Sequence, residues 1–339
     1  MTKEQKFLLG AVSGAAAVVA ASRALRQRHA IDFAGRVVVI TGGSRGLGLV
    51  LARQLAAQGA RLCLLARDPE ELARGKSQLD EAAEVLTVRC DIRNRAEVEA
   101  AIDQVLEKWT AVDVLINNAG VIQVGPLDHM TLEDFETAMA THFWGPLYLM
   151  MNVVPAMRRR GFGRIVNISS IGGKVAVPHM APYCASKFAL VGLSDSVRAE
   201  LDQHGIRVTT VCPGLMRTGS PGNAEMKGKH EAEYTWFAIS SATPGLSTSA
   251  EHAAHQIIEA CRYGDADLTL TLPAQAAVVL NNVLPSLTAS VMALANRLLP
   301  AATDEAGDRR RRGRDSRSRW APSFATALSD KAAAANNEI

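Results

Sequence analysis

The chain has 339 residues, of which 48% are hydrophobic and 21% are charged, and these globular proportions exclude a wholly disordered protein. The net charge is +3, yet the excess lies at the two ends: residues 31–300 carry 24 basic and 27 acidic residues, which argues against a nucleic-acid-binding surface on the fold itself. Five scattered cysteines without a CxxC pair indicate neither a disulfide framework nor a zinc site, and they predict a reducing compartment.

Residues 1–30 form a separate segment that is apolar at its centre and basic on both sides. Phe7–Ala21 carries no charge, but it is shorter than the roughly 20 residues that span a bilayer. A membrane anchor is the favoured interpretation; a cleaved signal peptide and a helix packed on the body are the alternatives. The arginines after the apolar run favour a cytoplasmic-side domain. We therefore expect membrane contact through residues 7–25, with a soluble cytoplasmic protein as the alternative.

The body of the chain, residues 31–300, alternates short apolar runs with helical patterns. Seven runs are predicted strands: Arg36–Thr41, Arg61–Ala66, Val85–Cys90, Val112–Ile116, Gly163–Ser169, Arg207–Val211 and Leu268–Leu272. Strands that alternate with helices of ten or more residues predict right-handed βαβ units around a buried parallel sheet. The expected fold class is α/β: one doubly wound, Rossmann-type domain with a seven-stranded parallel sheet.

A glycine-rich stretch, Thr41-Gly42-Gly43-Ser44-Arg45-Gly46-Leu47-Gly48, follows the first predicted strand and opens the first helix. Glycines let the backbone approach a pyrophosphate, and the helix N-terminus supplies unpaired N–H groups and a positive dipole end. The spacing is G-x-x-x-G-x-G, not the general G-x-G-x-x-G. The stretch predicts a dinucleotide site; the alternative is a purely structural glycine turn.

The residues that follow the second strand indicate whether the chain binds NAD(H) or NADP(H). Arg67 stands where NAD-specific sheets carry an acid for the ribose 2′-hydroxyl, and an arginine suits a 2′-phosphate. Arg45 is a second candidate cation. Asp68 is interpreted as the cap of the helix that starts at Pro69; the alternative is a ribose acceptor. These residues favour NADP(H) over NAD(H).

Three polar residues form a candidate catalytic set. Tyr183 and Lys187 are four residues apart and share one helix face, while Ser170 ends the fifth strand thirteen positions before Tyr183. A free tyrosine has a pKa of about 10, and a neighbouring ammonium lowers it. We expect Ser170 to hold a substrate oxygen, Tyr183 to give or take a proton, and Lys187 to tune Tyr183 and bind a ribose hydroxyl.

Together and in this order, these motifs resemble the short-chain dehydrogenase/reductase family, in its single-domain NAD(P)-dependent branch, over about residues 31–275. The resemblance implies hydride transfer between the nicotinamide and a carbonyl or secondary alcohol carbon, on a small-molecule substrate, with no metal. In that family Asp91 would contact the adenine ring. Asn117 and Ala119-Gly120 would line the cofactor and steady the central strands, and Pro213-Gly214 and Thr218 would hold the nicotinamide end. The implied cofactor-binding residues are Thr41, Gly42, Ser44, Arg45, Gly46, Leu47, Gly48, Arg67, Asp91, Ile92, Asn118, Ala119, Gly120, Tyr183, Lys187, Pro213, Gly214 and Thr218.

One position departs from the family pattern. The family usually has an asparagine in an N-x-x-G setting before the fifth strand, where it helps to hold a water of the proton relay. Here the stretch is Thr141-His142-Phe143-Trp144-Gly145, so His142 stands in its place. Because histidine binds water and carries a proton near neutral pH, one hypothesis makes His142 a catalytic member of the relay. The alternative is that the relay tolerates any polar group there.

The substrate is less clearly encoded. Gly219–Ala250 combines turn residues with aromatic side chains and predicts a mobile lid. Ala274–Pro300 is apolar and would cover the pocket, pack a dimer or rest on lipid. Together with the N-terminal run, these segments favour a hydrophobic ketone or alcohol of lipid, steroid or retinoid type. Core packing explains the same residues as an alternative. A homo-oligomer is also expected.

Two alternative functions and one further segment complete the predictions. A non-catalytic NADP(H) sensor is disfavoured by the complete Ser-Tyr-Lys set, and a nucleotide-sugar epimerase or dehydratase by the short body and the glycine spacing. Residues 301–319 include RRRRGRDSRSR and lack apolar periodicity. They predict that residues 301–339 form a disordered Arg-rich tail without specific role, contact with anionic lipid or nucleic acid being the alternative.

Overall fold

The computed structural model describes residues 26–338 and is built on a seven-stranded parallel sheet. The strands are β1 (Val37–Thr41), β2 (Arg61–Ala66), β3 (Val85–Arg89), β4 (Val114–Asn117), β5 (Gly163–Ile168), β6 (Ile206–Pro213) and β7 (Asp267–Leu270). Their order is β7-β6-β5-β4-β1-β2-β3, and every neighbouring pair is parallel. The predicted α/β class and doubly wound sheet are confirmed, and each predicted strand lies within two residues of the observed one at either end.

Helices cover both faces of the sheet. They are α1 (Gly46–Ala56), α2 (Pro69–Lys76), α3 (Arg95–Trp109), α4 (Leu132–Met139), α5 (Gly145–Arg160), α6 (Ala181–Leu201), α7 (His230–Ala242), α8 (Ala250–Tyr263), α9 (Leu272–Val283), α10 (Pro285–Asn296) and α11 (Ala327–Ala335). A short π-helix, Ala140–Trp144, joins α4 to α5. Helices α1 and α8 pack on one face of the sheet, and α3 and α5 pack on the other.

The continuous apolar strands follow from this two-sided burial. Successive side chains of a strand point to opposite faces, so Val38 and Ile40 join the core under α1 and α8. Val37 and Val39 join the core under α3 and α5. All four are at most 3% exposed. Burying a side chain of this kind contributes about 1.5–3 kcal/mol, which explains why strands covered on both faces read as uninterrupted apolar runs.

The strand order reverses beside β1. The chain runs outwards from β1 to β2 and β3, and then crosses back to place β4 on the other side of β1. In open parallel sheets, ligands bind outside the carboxyl ends of the strands at such a point. The fold therefore brings the loops after β1 and β4 together at one crevice.

Residues 301–338 differ from the sequence prediction. Instead of a disordered tail, the structure packs short elements and α11 onto the body, and Ser316 and Thr326 are at most 1% exposed. The attachment is polar: Arg310 lies 3.0 Å from the buried Asp134 carboxylate and 3.2 Å from Glu133. Apolar periodicity carries no signal for a segment held by ion pairs and hydrogen bonds, which is why the prediction was wrong here.

The membrane and lid predictions have different outcomes. The N-terminal apolar run lies outside residues 26–338, so the predicted membrane contact through residues 7–25 stays a prediction. Within residues 26–338, none of the helices combines the length and the apolar character needed to cross a bilayer.

Part of the predicted lid, Gly219–Ala250, forms α7, whose Tyr234 and Phe237 are 6% and 7% exposed and belong to a buried cluster. The mobility of this segment stays a prediction.

Candidate active site

The loops after β1 and β4 are fastened together through one threonine. The Thr41 hydroxyl oxygen, at the end of β1, accepts hydrogen bonds from the backbone N–H groups of Asn118 (2.9 Å) and Ala119 (3.0 Å). The Asn118 side-chain amide donates in return to the Thr41 carbonyl at 2.9 Å. Since Thr41 is 1% exposed, these bonds are shielded from water and fix the floor of the crevice.

The glycines of the loop let its backbone pack closely on the start of α1. A Cβ on Gly48 would overlap the carbonyl oxygen of Gly42 and lie 2.7 Å from the Asn118 amide nitrogen. The N-cap residue of α1, Arg45, makes no side-chain capping bond, and the first turn of the helix holds no acidic residue. A helix start without a side-chain cap from its own N-cap residue and without an acidic first turn suits an anionic oxygen, so these residues fit the pyrophosphate of NAD(P)(H).

Two cations flank this loop. Arg67 is exposed at the end of β2. Arg45 lies 3.0 Å from the Glu71 carboxylate and 3.7 Å from that of Glu338. The Asp68 carboxylate accepts hydrogen bonds from the first-turn N–H groups of α2, which confirms its interpretation as a helix cap. Arg67 is therefore the side chain that stands exposed where a 2′-phosphate is expected.

The residues predicted for the adenine and nicotinamide ends of the cofactor lie beyond β3 and β6. Although burial raises the pKa of Asp91, hydrogen bonds from Arg93 hold it below its usual value. Ile92 is buried beside it. At the opposite end Pro213 closes β6, and a Cβ on Gly214 would lie 2.5 Å from the Thr271 hydroxyl oxygen. These residues lie at the carboxyl ends of β3 and β6, on the same edge of the sheet as the glycine loop.

A buried amide network steadies the centre of the sheet. The Asn117 amide donates to the Asn167 side-chain oxygen at 2.8 Å, and the Asn167 amide donates to the Ser194 hydroxyl at 3.0 Å. Asn117 and Asn167 are at most 3% exposed. Bonds of this kind hold β4, β5 and α6 in fixed register beneath the site. Asn167 and Ser194 were not predicted, because nothing in the sequence marks two separated polar residues as partners.

The three predicted catalytic residues are close together. Ser170 follows β5, and its hydroxyl accepts from the Gly172 backbone N–H at 3.1 Å and hydrogen-bonds to Tyr183. Tyr183 and Lys187 lie on the first two turns of α6. The Lys187 ammonium nitrogen donates to the Ile168 carbonyl at 2.8 Å and lies 5.7 Å from the centre of the Tyr183 ring.

Burial dominates the electrostatics of this cluster. It raises the pKa of Tyr183 to about 12, although the hydrogen bond with Ser170 opposes the shift. It lowers the pKa of Lys187 to about 7. The sequence predicts the opposite shift for Tyr183, but here Lys187 bonds to a carbonyl and desolvation outweighs its attraction for a phenolate. Tyr183 is therefore a protonated phenol at neutral pH, and it releases its proton less readily than a free tyrosine does.

His142 has a partner on each ring nitrogen. Nε2 accepts from the Val121 backbone N–H at 3.1 Å, and Nδ1 lies 2.7 Å from the Ser186 hydroxyl, which itself donates to the Tyr183 carbonyl. Nδ1 must therefore carry the proton, and the imidazole is neutral. Burial lowers its pKa well below the usual value, and Lys187 adds to the shift. His142 ties the Val121 loop to α6; its part in a proton relay stays a prediction.

Two serines beside the catalytic set were not predicted. Ser186 carries the His142 bond, and Ser169 donates to the Lys187 carbonyl at 3.0 Å. Both are neighbours in sequence of a predicted catalytic residue, and each is at most 3% exposed. A serine within a helix often bonds to a carbonyl of the preceding turn, as Ser186 does to Tyr183, so a signal for Ser186 was available in the sequence. Ser169 bonds to a residue 18 positions away, and the sequence carries no signal for that pair.

An apolar groove of about 740 Å³ opens between α6 and the α9–α10 pair. Its lining is mostly aliphatic and aromatic, and it includes Val177, Cys184, Phe188 and Met292. Cys184 follows Tyr183 in sequence, but consecutive side chains of a helix diverge by about 100°, and neither Tyr183 nor Lys187 lines the groove. The predicted apolar segment Ala274–Pro300 supplies one wall of this groove.

Comparisons with known proteins agree on the kind of protein. The family model described as short chain dehydrogenase matches residues 36–227. The chain is 34% identical to dehydrogenase/reductase SDR family member 7B of Bos taurus, covering 76% of this chain and 80% of that protein. It is 35% identical to a 3-ketodihydrosphingosine reductase of Bacteroides thetaiotaomicron, covering 58% and 71% respectively.

Solved structures show the same likeness. L-sorbose reductase from Gluconobacter frateurii, complexed with NADPH and L-sorbose, superposes with a TM-score of 0.63 at 25% identity, covering 71% of this chain and 97% of that one. Levodione reductase gives a TM-score of 0.62 at 28% identity, covering 72% and 99%.

Proposed function

This chain belongs to the short-chain dehydrogenase/reductase family of NAD(P)-dependent oxidoreductases, and from that we propose that it reduces a hydrophobic carbonyl compound with NADPH through Ser170, Tyr183 and Lys187. The observation that carries the proposal is the buried cluster in which Ser170 bonds to a protonated Tyr183 beside Lys187. A neutral phenol next to a substrate oxygen is the acid that carbonyl reduction requires.

Each residue has one task in the proposed mechanism. The cofactor, when bound, supplies a hydride to the carbonyl carbon. Ser170 binds the carbonyl oxygen and orients it towards Tyr183, which donates its phenolic proton to the oxygen as the alcohol forms. Lys187 binds a ribose hydroxyl and stabilises the phenolate that Tyr183 leaves behind. The loop Thr41–Gly48 holds the pyrophosphate. The dry surroundings strengthen these interactions, because little solvent screens them.

Preference for NADP(H) rests on Arg67. Its exposed guanidinium stands at the end of β2, and Arg45 lies at the loop beside it in the same crevice. A guanidinium binds a phosphate with two parallel hydrogen bonds, which a ribose hydroxyl cannot match. The structural relative L-sorbose reductase was solved with NADPH, which is consistent with this choice.

Replacing Arg67 tests the preference. We expect Arg67→Glu to weaken NADPH binding by about tenfold or more while NADH binding changes little, because a carboxylate repels the 2′-phosphate and accepts from a 2′-hydroxyl. Both dissociation constants are measured by fluorescence titration. Arg61→Glu, at the other end of the same strand, is the matched control and should leave both unchanged. An unaltered ratio of the two constants in Arg67→Glu would contradict the assignment.

A hydrophobic substrate is supported by the apolar groove against α6 and by the relatives. The groove is lined mainly by apolar side chains, and one relative is named a 3-ketodihydrosphingosine reductase. The test is NADPH oxidation with a panel of long-chain 3-keto compounds, steroid ketones and polar ketoses. We expect turnover to be highest for the apolar ketones. Tight NADPH binding without turnover on any compound would instead favour a nucleotide sensor, and a preference for polar ketoses would overturn the substrate class.

The predicted homo-oligomer and the membrane contact through residues 7–25, on the cytoplasmic side, complete the proposal. Helices α9 and α10 expose apolar side chains, among them Val279, Val283 and Leu294. Such a surface suits contact with a second copy of the chain or with lipid.

A further inference from the structure

Residues 336–338 reach the glycine loop. After α11 the backbone passes over the start of α1, where the Gly46 N–H donates to the Asn336 carbonyl at 2.8 Å. The Asn337 side-chain amide donates to the Ser44 carbonyl at 2.9 Å and to the Glu71 carbonyl at 3.1 Å. We call Asn336–Glu338 the C-terminal plug. It takes up one of the N–H groups that a helix start offers to a phosphate.

The plug also brings a negative charge to this place. The Glu338 side chain is 6% exposed, lies 3.7 Å from the Arg45 guanidinium and accepts from the Asn223 amide. A Cβ on Gly46 would collide with its carboxylate, so Glu338 fills the space that this glycine leaves open. An anionic oxygen next to Gly46 and Arg45 occupies the position that the loop is expected to give to a cofactor phosphate.

Contacts from α1 and α2 fix the plug and the end of α11. The Arg53 guanidinium, on α1, donates to the Asn336 side-chain oxygen at 3.1 Å and to the Ala335 carbonyl at 2.6 Å. The Arg74 guanidinium, on α2, donates to the Asn337 side-chain oxygen at 3.2 Å. These bonds come from side chains that surround the loop, so the docked position is specific.

The docked state is nevertheless easy to displace. Burial raises the pKa of Glu338, although Arg45 opposes the shift, so the buried carboxylate is less stable as an anion than it is in water. The plug is held by polar contacts rather than by burial of large apolar side chains, and segments of that kind open at low cost. A cofactor phosphate carries more charge and makes more bonds to the same groups.

We infer that the C-terminal plug is an autoinhibitory element: Asn336–Glu338 and the cofactor pyrophosphate compete for one anion site at the start of α1, and NADP(H) binds when the plug withdraws. The inference rests on the proposed cofactor site in Thr41–Gly48. Because the plug is part of the same chain, its effective concentration at the loop is high, and the apparent affinity for the cofactor falls by the fraction of molecules with the plug docked.

The experiment compares dinucleotide binding by the full chain and by two plug variants. One ends after Ala335, which removes the plug but keeps α11; the other is Glu338→Lys, which places a cation against Arg45. We expect both to bind NADPH about tenfold more tightly than the full chain, and NADH by a similar factor, since both dinucleotides carry the pyrophosphate. Lys331→Ala, an exposed position on α11, is the matched control and should bind as the full chain does.

Hydrogen exchange supplies a second readout that does not depend on turnover. Saturating NADPH should increase amide exchange in residues 327–338 of the full chain while it protects Thr41–Gly48. Equal affinities for the full and shortened chains, or a plug that NADPH protects, would overturn the inference. If the full chain and both variants bind NADH as tightly as NADPH, the NADP(H) assignment is wrong. Competition between the plug and the pyrophosphate would still hold, because both dinucleotides carry the pyrophosphate. If neither chain binds either dinucleotide, both proposals fail.

Discussion

Tyr183→Phe is expected to lower kcat for carbonyl reduction by roughly 10²–10⁴-fold, the range by which a positioned proton donor accelerates such a step. The variant loses the phenolic proton and the hydrogen bond to Ser170 but keeps the ring, which packs edge-on to His142 with 5.5 Å between ring centres. NADPH affinity and thermal stability should therefore stay close to those of the parent. Steady-state kinetics, NADPH titration and a melting curve measure the three quantities.

The matched control for this variant is Tyr148→Phe, on α5. Tyr148 is half-buried and stacks on Trp144, so the replacement removes a hydroxyl of the same kind outside the Ser170–Lys187 cluster. We expect its kcat to match that of the parent. Full turnover by Tyr183→Phe would refute the role of Tyr183 as the proton donor.

Gly48→Ala should destabilise the fold by about 2–4 kcal/mol and weaken NADPH binding by more than tenfold. The added methyl would overlap the Gly42 carbonyl and press on the Asn118 amide, and neither can move freely because Asn118 is bonded to Thr41. The loop must therefore distort just where its backbone is expected to meet the pyrophosphate. Urea unfolding measures the stability, and fluorescence titration measures the affinity.

Gly192→Ala, within α6, is the control for the glycine effect itself. A Cβ there meets no atom within 4 Å, so the change should stabilise the helix by up to about 1 kcal/mol. Binding of NADPH should not change. If Gly48→Ala has the same free energy of unfolding and the same NADPH affinity as the parent, the close approach of Gly42 to α1 is not needed for stability or for binding.

The parts of the fold that the sequence predicts well share one physical cause. Strands such as β1 are covered on both faces, so their burial appears in the sequence as an unbroken apolar run. Rules about neighbouring residues in a helix also gave correct predictions. Asp68 before Pro69 caps α2, and the four-residue spacing of Tyr183 and Lys187 places both on one face of α6. Each of these signals depends on neighbours in the chain.

The parts that escaped prediction depend on distant partners. The pKa of Tyr183 is set by the burial of the whole cluster, and the spacing to Lys187 says nothing about that burial. The segment after residue 300 shows the same limit, because Arg310 finds Asp134 across the fold and Asn337 finds Ser44. Such pairs produce no periodic pattern in the sequence. An arginine-rich, weakly apolar segment therefore looks like a disordered one until its partners are known.

The polar character of the C-terminal plug determines which conditions move it. Heat capacity changes follow the apolar area that is exposed or covered, and the plug buries little of it, so the enthalpy of its docking should be nearly the same at all working temperatures. Dissolved ions should weaken the contact only modestly, because the Glu338 side chain is 6% exposed and buried charges are screened less than exposed ones. Docking at the nucleotide loop should therefore give a straight van 't Hoff plot, without the curvature of an apolar interface.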